Sequence, residues 1–202
     1  MTVTAATDPS ALPVRERGLR SRAGNAMART RAAVLDGAIR AVEKHGARRT
    51  TMADIATLAG IAKGTLYNHF RAKEAVFAAA VDAGVQALTD ECITVANEDL
   101  ADALALAADR LATHPALRRL AIDEPATLSA LTTIDDSEPW ELARRSVKSV
   151  LDAAGRDTSV PTVEVVLRWV VSFIGAPGHE VEAQAHVLVR ALPVQAQPQL
   201  QF

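Results

Sequence analysis

The sequence predicts an all-α fold, a three-helix helix-turn-helix unit joined to a C-terminal helical bundle, and three observations carry the prediction. Apolar residues recur at helical spacing, as Leu35, Ala38, Ile39 and Val42 do at i, i+3, i+4 and i+7. Glycines, prolines and capping residues punctuate the chain at helix-length intervals. No segment sustains the apolar–polar alternation of a half-buried strand.

Residues 1–27 mix Pro, Gly, Ser and Arg without periodicity and are expected to form a disordered basic arm. Gly46 closes the first helix as a C-cap glycine would. Thr51 followed by Asp54 reads as a capping box, opening a second helix with Met52, Ile55, Ala56 and Ala59 on its buried face. Gly60 makes a tight turn, and Leu66 with Phe70 pack a short third helix. A longer helix over about 73–96 carries the stripe Phe77, Val81, Gly84, Leu88 and Cys92, which is expected to be buried. Leu100, Leu104, Ala107 and Leu111 mark the next helix, broken at His114-Pro115; a short helix covers 115–123 and another begins near Glu124. Ser137 is expected to cap a helix that Gly155 ends, with Trp140, Ala143, Val147, Val150 and Leu151 on one face. Pro161 opens a helix reaching Gly175, and a last helix runs to about Leu192. The units are thus an arm (1–27), a helix-turn-helix domain (28–75), a helical body (76–193) and a flexible tail (194–202).

At 202 residues the chain can bury one full core or two small ones sharing a helix. No apolar run reaches the roughly 18 residues of a membrane span, and the N-terminus lacks the apolar core of a secretory signal. The single cysteine, Cys92, excludes an internal disulfide and a cysteine-cluster metal site, and its place on an apolar stripe makes it a buried, inert thiol. A cytoplasmic location is expected. The net charge of −2 hides an asymmetry. Residues 1–75 hold 13 Lys+Arg against 6 Asp+Glu, and residues 76–202 hold 9 against 18. A basic third on an acidic body suits a polyanionic partner, although chance segregation on a solvated surface gives the same counts.

The basic third contains "GIAKGTLYNHFRAKEAVF", residues 60–77. Two helices joined by a glycine-containing turn, the second short and polar, make a helix-turn-helix. Its chemistry suits DNA: Gly and Thr let the helix approach base edges, while Lys, Tyr and His donate to phosphates. Beyond this, "TTMADIATLAGIAKGTLYNHFRAKEAVFAAAV" resembles the N-terminal domain of TetR/AcrR-type transcriptional regulators, over about residues 29–80. The matching residues are Thr51, Ala59-Gly60, Gly64-Thr65-Leu66-Tyr67, His69-Phe70 and Lys73. The resemblance implies that Thr51, Tyr67, His69 and Lys73 grip phosphates and that Lys63, Gly64, Thr65 and Asn68 face bases. For the second group, lining the backbone is an equally open role. Two departures stand out. Ala62 replaces the Ser or Thr that usually caps the recognition helix, forfeiting about 0.5–2 kcal/mol. Arg48-Arg49 before Thr50 replace an aromatic and small residues and would sit beside phosphates, Thr50 is counted with them as a DNA-binding residue, and Arg15, Arg17, Arg20 and Arg22 could lie along the backbone or in a minor groove. Arginine outnumbers lysine 18 to 4, which fits a GC-rich source such as an actinobacterium.

The resemblance also implies a homodimer whose body binds a small molecule. In the helix from Thr162 to Gly175 the only polar stripe is Glu164, Arg168 and Ser172, so the rest must be covered on both flanks, by a second subunit or inside a monomer core. In the last helix Val181, Ala185, Leu188, Val189 and Leu192 face inward, and Ala183, Val187 and Ala191 form another side. Trp140, Trp169 and Phe173 are candidate ligand contacts, with Leu104, Leu111, Leu117, Leu128 and Leu131 as apolar walls; plain core is the alternative for the tryptophans. An apolar effector fits these walls. A cationic amphiphile would need Glu141 or Glu164 turned inward, and the acidic body disfavours an anion. His179, Glu182 and His186 have metal-compatible spacing but read as a solvated face, so no metal or cofactor is expected. No nucleophile elbow, phosphate-cradling loop or paired carboxylates are present, so no catalytic residue is assigned. The reading is a dimeric, ligand-released repressor of a palindromic operator. Its rivals are a dimeric DNA-binding protein without an effector and an enzyme on a helical bundle.

Overall fold

Ten α-helices account for the helical structure among the described residues of the computed structural model, which are 15–195 for the backbone and 26–195 for side chains. They are α1 (Arg15–His45), α2 (Met52–Ala59), α3 (Lys63–His69), α4 (Lys73–Ala96), α5 (Leu100–Thr113), α6 (Pro115–Asp123), α7 (Pro125–Thr132), α8 (Glu138–Ala153), α9 (Val160–Val171) and α10 (Val181–Ala191). The expected all-α class is therefore observed, and no helix among the described residues is long and apolar enough to cross a membrane.

Four expectations need correction. α1 starts at Arg15, inside the stretch expected to be irregular. That stretch is rich in helix-forming Arg, Leu and Ala, and a glycine costs only about 1 kcal/mol in a helix already nucleated downstream. Residues 1–14 and the side chains of Arg15, Arg17, Arg20 and Arg22 lie outside the described residues. α9 ends at Val171 rather than Gly175, since Ser172 to Gly175 turn toward α5, where the Gly175 amide donates to the Leu111 carbonyl at 3.4 Å. The start of the expected tail is paired: Gln195 N–H donates to the Gly155 carbonyl at 3.1 Å, just after Asp157 N–H donates to the Pro193 carbonyl at 3.0 Å at the end of the body; residues 196–202 lie outside the described residues. Ser137 occupies the N-cap of α8 without a side-chain bond.

The apolar residues gather into a head core, a body core and a seam between them. In the head, Val34, Ala38 and Ala41 of α1 meet Ile55, Ala56, Leu66, Phe70 and Val76. In the body, Cys92 and Ala96 of α4 pack on Leu100, Leu104 and Ala107 of α5, Leu151 of α8, Val166 of α9 and Ala185 of α10. Burial pushes the Cys92 thiol up to about 11, which suppresses its thiolate at neutral pH. The seam is Val42, Ala116 and Leu120, flanked by Ile39, Ala47, Phe77 and Leu128. α4 thus reaches from head to body, but its middle is bare: Val81 is 49% exposed and Gly84 is exposed, against the burial expected of their stripe.

Candidate nucleic-acid interface and effector cavity

The helix-turn-helix is built by local signals. Thr51 Oγ accepts from the Asp54 amide at 3.2 Å, while the Asp54 carboxylate accepts from Thr51 N–H at 2.9 Å and Thr51 Oγ at 2.7 Å. These bonds, the hydroxyl's first, hold the Asp54 carboxyl below its ordinary range. Gly60, in the left-handed region at φ 67°, ends α2 and turns the chain into α3. At the N-cap of α3, Ala62 makes no side-chain bond. The helix is held by Leu66, fully buried, and by Phe70 just beyond its end.

That anchoring leaves one edge of α3 bare. Lys63, Gly64, Tyr67 and Asn68 are exposed, and Thr65 and His69 are half-buried beside them. The Lys63 ammonium lies 6.0 Å from the Tyr67 ring centroid. A Cβ placed on Gly64 would meet nothing within 4 Å, so this point of the surface is open to close approach. The set offers an ammonium, a phenol and a carboxamide on a convex helix, the donor chemistry of phosphate and major-groove contacts.

The loop between α1 and α2 behaves differently from expectation at two positions. Arg48 and Arg49 are exposed beside Thr51. Thr50, however, is 1% exposed and its hydroxyl donates to the Gly46 carbonyl at 2.7 Å, so it cannot reach a phosphate. Lys73 is also engaged. Its ammonium donates to the carbonyls of Ala47 at 3.1 Å, Arg48 at 3.0 Å and Thr50 at 3.2 Å. An ammonium has three N–H donors and all three are used within the protein. Lys73 therefore braces this loop against the start of α4 instead of gripping phosphate. The loop's amide side is held from the body: Glu124, 8% exposed at the corner of α6 and α7, accepts the Arg48 N–H at 3.2 and 3.3 Å. In the sequence Glu124 marks only the start of a helix.

In the body, an open cleft of about 600 Å³ lies between α6, α7, α9 and the turn after α9. Its apolar lining includes Ala121, Leu128, Ile134, Val171 and Ile174, with Ser129, Thr132, Ser172 and Arg168 supplying polar atoms. Of the expected ligand residues only Leu128 lines it. Leu104 is buried in the body core and Leu111 packs against it. Leu117 is half-buried, and Leu131 is 53% exposed. Trp169 meets the buried Phe173 edge to face, with ring centroids 4.9 Å apart, over Ala108 and Ala112, whose small side chains leave room for the pair. Phe173 is buried and Trp169 half-buried, and neither lines this cavity. Trp140 is half-buried at the start of α8, away from the cavity lining. Glu164 is held by Arg144 at 2.6 Å and Arg168 at 3.3 Å, and Glu141 by Arg144 at 2.9 Å, so neither carboxylate is free for a cationic ligand. A second cavity of about 340 Å³, lined among others by Asn97, Asp99, Arg156, His186 and Arg190, was not legible in the sequence. Among the described residues no three His, Cys, Asp or Glu side chains gather as metal ligands, and His179, Glu182 and His186 are exposed.

Comparison with known proteins agrees with the head's geometry. The family model described as bacterial regulatory proteins, tetR family, matches residues 34–80. The HTH-type transcriptional regulator TtgR of Pseudomonas putida is 47% identical over 53 residues, 26% of this chain and 25% of that protein. The match thus spans a quarter of that relative's length. Among solved structures, the transcriptional regulator FadR from Bacillus subtilis in complex with stearoyl-CoA aligns with a TM-score of 0.54 at 14% identity, covering 79% of this chain and 95% of that one. The fatty acid degradation regulator FadR from Bacillus halodurans aligns with a TM-score of 0.51 at 19% identity, covering 79% and 92%. At these identities the likeness is one of fold.

Proposed function

From the match of residues 34–80 to the tetR-family model, we propose that the chain is a TetR-type transcriptional regulator, a dimeric repressor that a small, mostly apolar ligand releases from a palindromic operator. The observation that carries DNA binding is the bare edge of α3, where Lys63, Tyr67 and Asn68 surround the open surface at Gly64. In this reading Lys63, Gly64, Thr65 and Asn68 face bases, and Tyr67, His69, Thr51, Arg48 and Arg49 meet phosphates. The two recognition helices of a dimer enter successive major grooves about 34–36 Å apart, or a multiple of that.

Dimerisation is supported by apolar side chains left uncovered on the last two helices: Val165 is 51% and Val187 60% exposed, with Ala183 and Ala191 beside the latter. A four-helix interface of α9 and α10 with their copies would cover them. The effector reading moves from the tryptophans to the cavity of about 600 Å³ against Leu128, Ile134, Val171 and Ile174. The ligand acts only through differential affinity for two states of the protein. The test is to recover bound fragments from sheared genomic DNA and read their common site. Uniform retardation of any duplex, with no site emerging, would refute a specific regulator.

A further inference from the structure

We propose that Glu124 positions the DNA-contacting loop and is the contact through which the helical body and that loop are coupled. The inference rests on the DNA-binding reading above and does not require an effector. Glu124 is 8% exposed, and none of the ion pairs among the described residues involves it. A buried carboxylate without a countercharge is costly unless it is hydrogen-bonded. Here both oxygens converge on one amide, the N–H of Arg48. Moving the loop from the body breaks both contacts and leaves the buried carboxylate without this donor.

The surroundings make the contact specific. Gly46, at φ 77°, sits against the carboxylate: a Cβ there would run into Glu124 Oε1 and push it off the Arg48 amide. The opposite face of the loop is held by Lys73 through three carbonyls. A cation from the head thus holds the loop's acceptors, and an anion from the body holds its donor. Leu128, one turn beyond Glu124, faces both ways, lining the larger cavity while packing with Val42 and Leu120 in the seam. A rearrangement of the α6–α7 corner therefore reaches Arg48, Arg49 and Thr51 through Glu124, which is a positioning residue rather than a DNA contact.

The test uses the full chain, the variants Glu124→Ala and Glu124→Gln, a duplex recovered from genomic DNA, and hydrogen exchange read by mass spectrometry. Glu124→Ala is expected to weaken DNA binding about tenfold and to speed exchange of the amides of 47–50 in free protein. In the wild type, DNA should slow exchange in residues 115–132 as well as in the head, by reciprocity of coupling. In Glu124→Ala that remote protection should vanish. Glu124→Gln keeps an oxygen acceptor and should restore most of the affinity and the remote protection, a rescue that loss of general stability would not give. If Glu124→Ala does not fold, Glu124→Asp, with its shorter reach, is read by the same measurements. Affinity kept within about twofold, or remote protection that persists in the alanine or aspartate variant, overturns the proposal. A wild type that binds no duplex overturns the DNA reading and this proposal together.

Discussion

Lys73→Met separates a brace from a phosphate contact, because the two roles predict opposite signatures. The methionine keeps the length of the stem and removes the ammonium, leaving the carbonyls of Ala47, Arg48 and Thr50 without their donor. A hydrogen bond to a charged group contributes roughly 1.5–3 kcal/mol. The three bonds share one ammonium, and the one to Arg48 is exposed, so water replaces it there. The other two are part-buried. The expected loss is about 2–3 kcal/mol, corresponding to roughly 5–10 °C in melting temperature for a chain of this size. DNA affinity will fall as the loop loosens, but the number of phosphates neutralised will not change. The assay is a thermal melt paired with DNA binding across a salt series. An unchanged melting temperature together with a salt slope smaller by about 0.9 would mean that Lys73 does neutralise a phosphate, and the brace would be wrong.

Gly64→Ala should raise stability by up to about 1 kcal/mol, since alanine favours the helix and its Cβ meets nothing, yet it should weaken DNA binding by blocking close approach; melting and gel retardation together check the opposite signs. Val187→Glu puts like charges near the proposed two-fold axis and should convert a dimer to monomers in sedimentation, with a parallel loss of operator affinity; wild-type protein already monomeric at micromolar concentration would refute the interface. Asp54→Asn tests the capping box through pH. The folded-state pKa of Asp54 lies below its ordinary 3.8, so the unfolded chain binds the proton first as pH falls. The stabilisation is complete above 3.8 and lost on descending through the folded value. Melting temperature against pH should show a shallower acid limb in the variant than in the wild type, and coincident limbs would remove the carboxylate's role.

Helix ends were legible because their signals are local. Gly46, Gly60 and Gly155 lie in the left-handed region where helices stop, the Thr51–Asp54 box starts α2, and proline stands in the first turn of α6 and α9. The exposed polar edge of α3 was legible for the same reason: Lys63, Gly64, Tyr67 and Asn68 share one short helix that Leu66 orients. What failed depended on distant partners. Lys73 meets carbonyls 23 to 26 positions earlier, and Glu124 an amide 76 positions earlier, and no local pattern announces either. Periodicity misled at Val81 and Gly84 because it marks a face able to be covered, not the presence of a neighbour to cover it. Scarcity of aromatics could not announce that Trp169 would lie half-buried against Phe173, Ala108 and Ala112 rather than on the lining of the larger cavity.

Gly46 and Glu124 stand on opposite sides of the join between head and body, and this sets a compatibility rule for chimeras. A foreign head grafted onto this body must bring a residue that accepts φ 77° and has no Cβ at position 46. A head with alanine there would carry its own recognition helix intact and still displace the carboxylate from the Arg48 amide. Exchange of binding specificity by cassette is therefore restricted to donors with glycine at that point, or requires that Glu124 be redesigned along with the head.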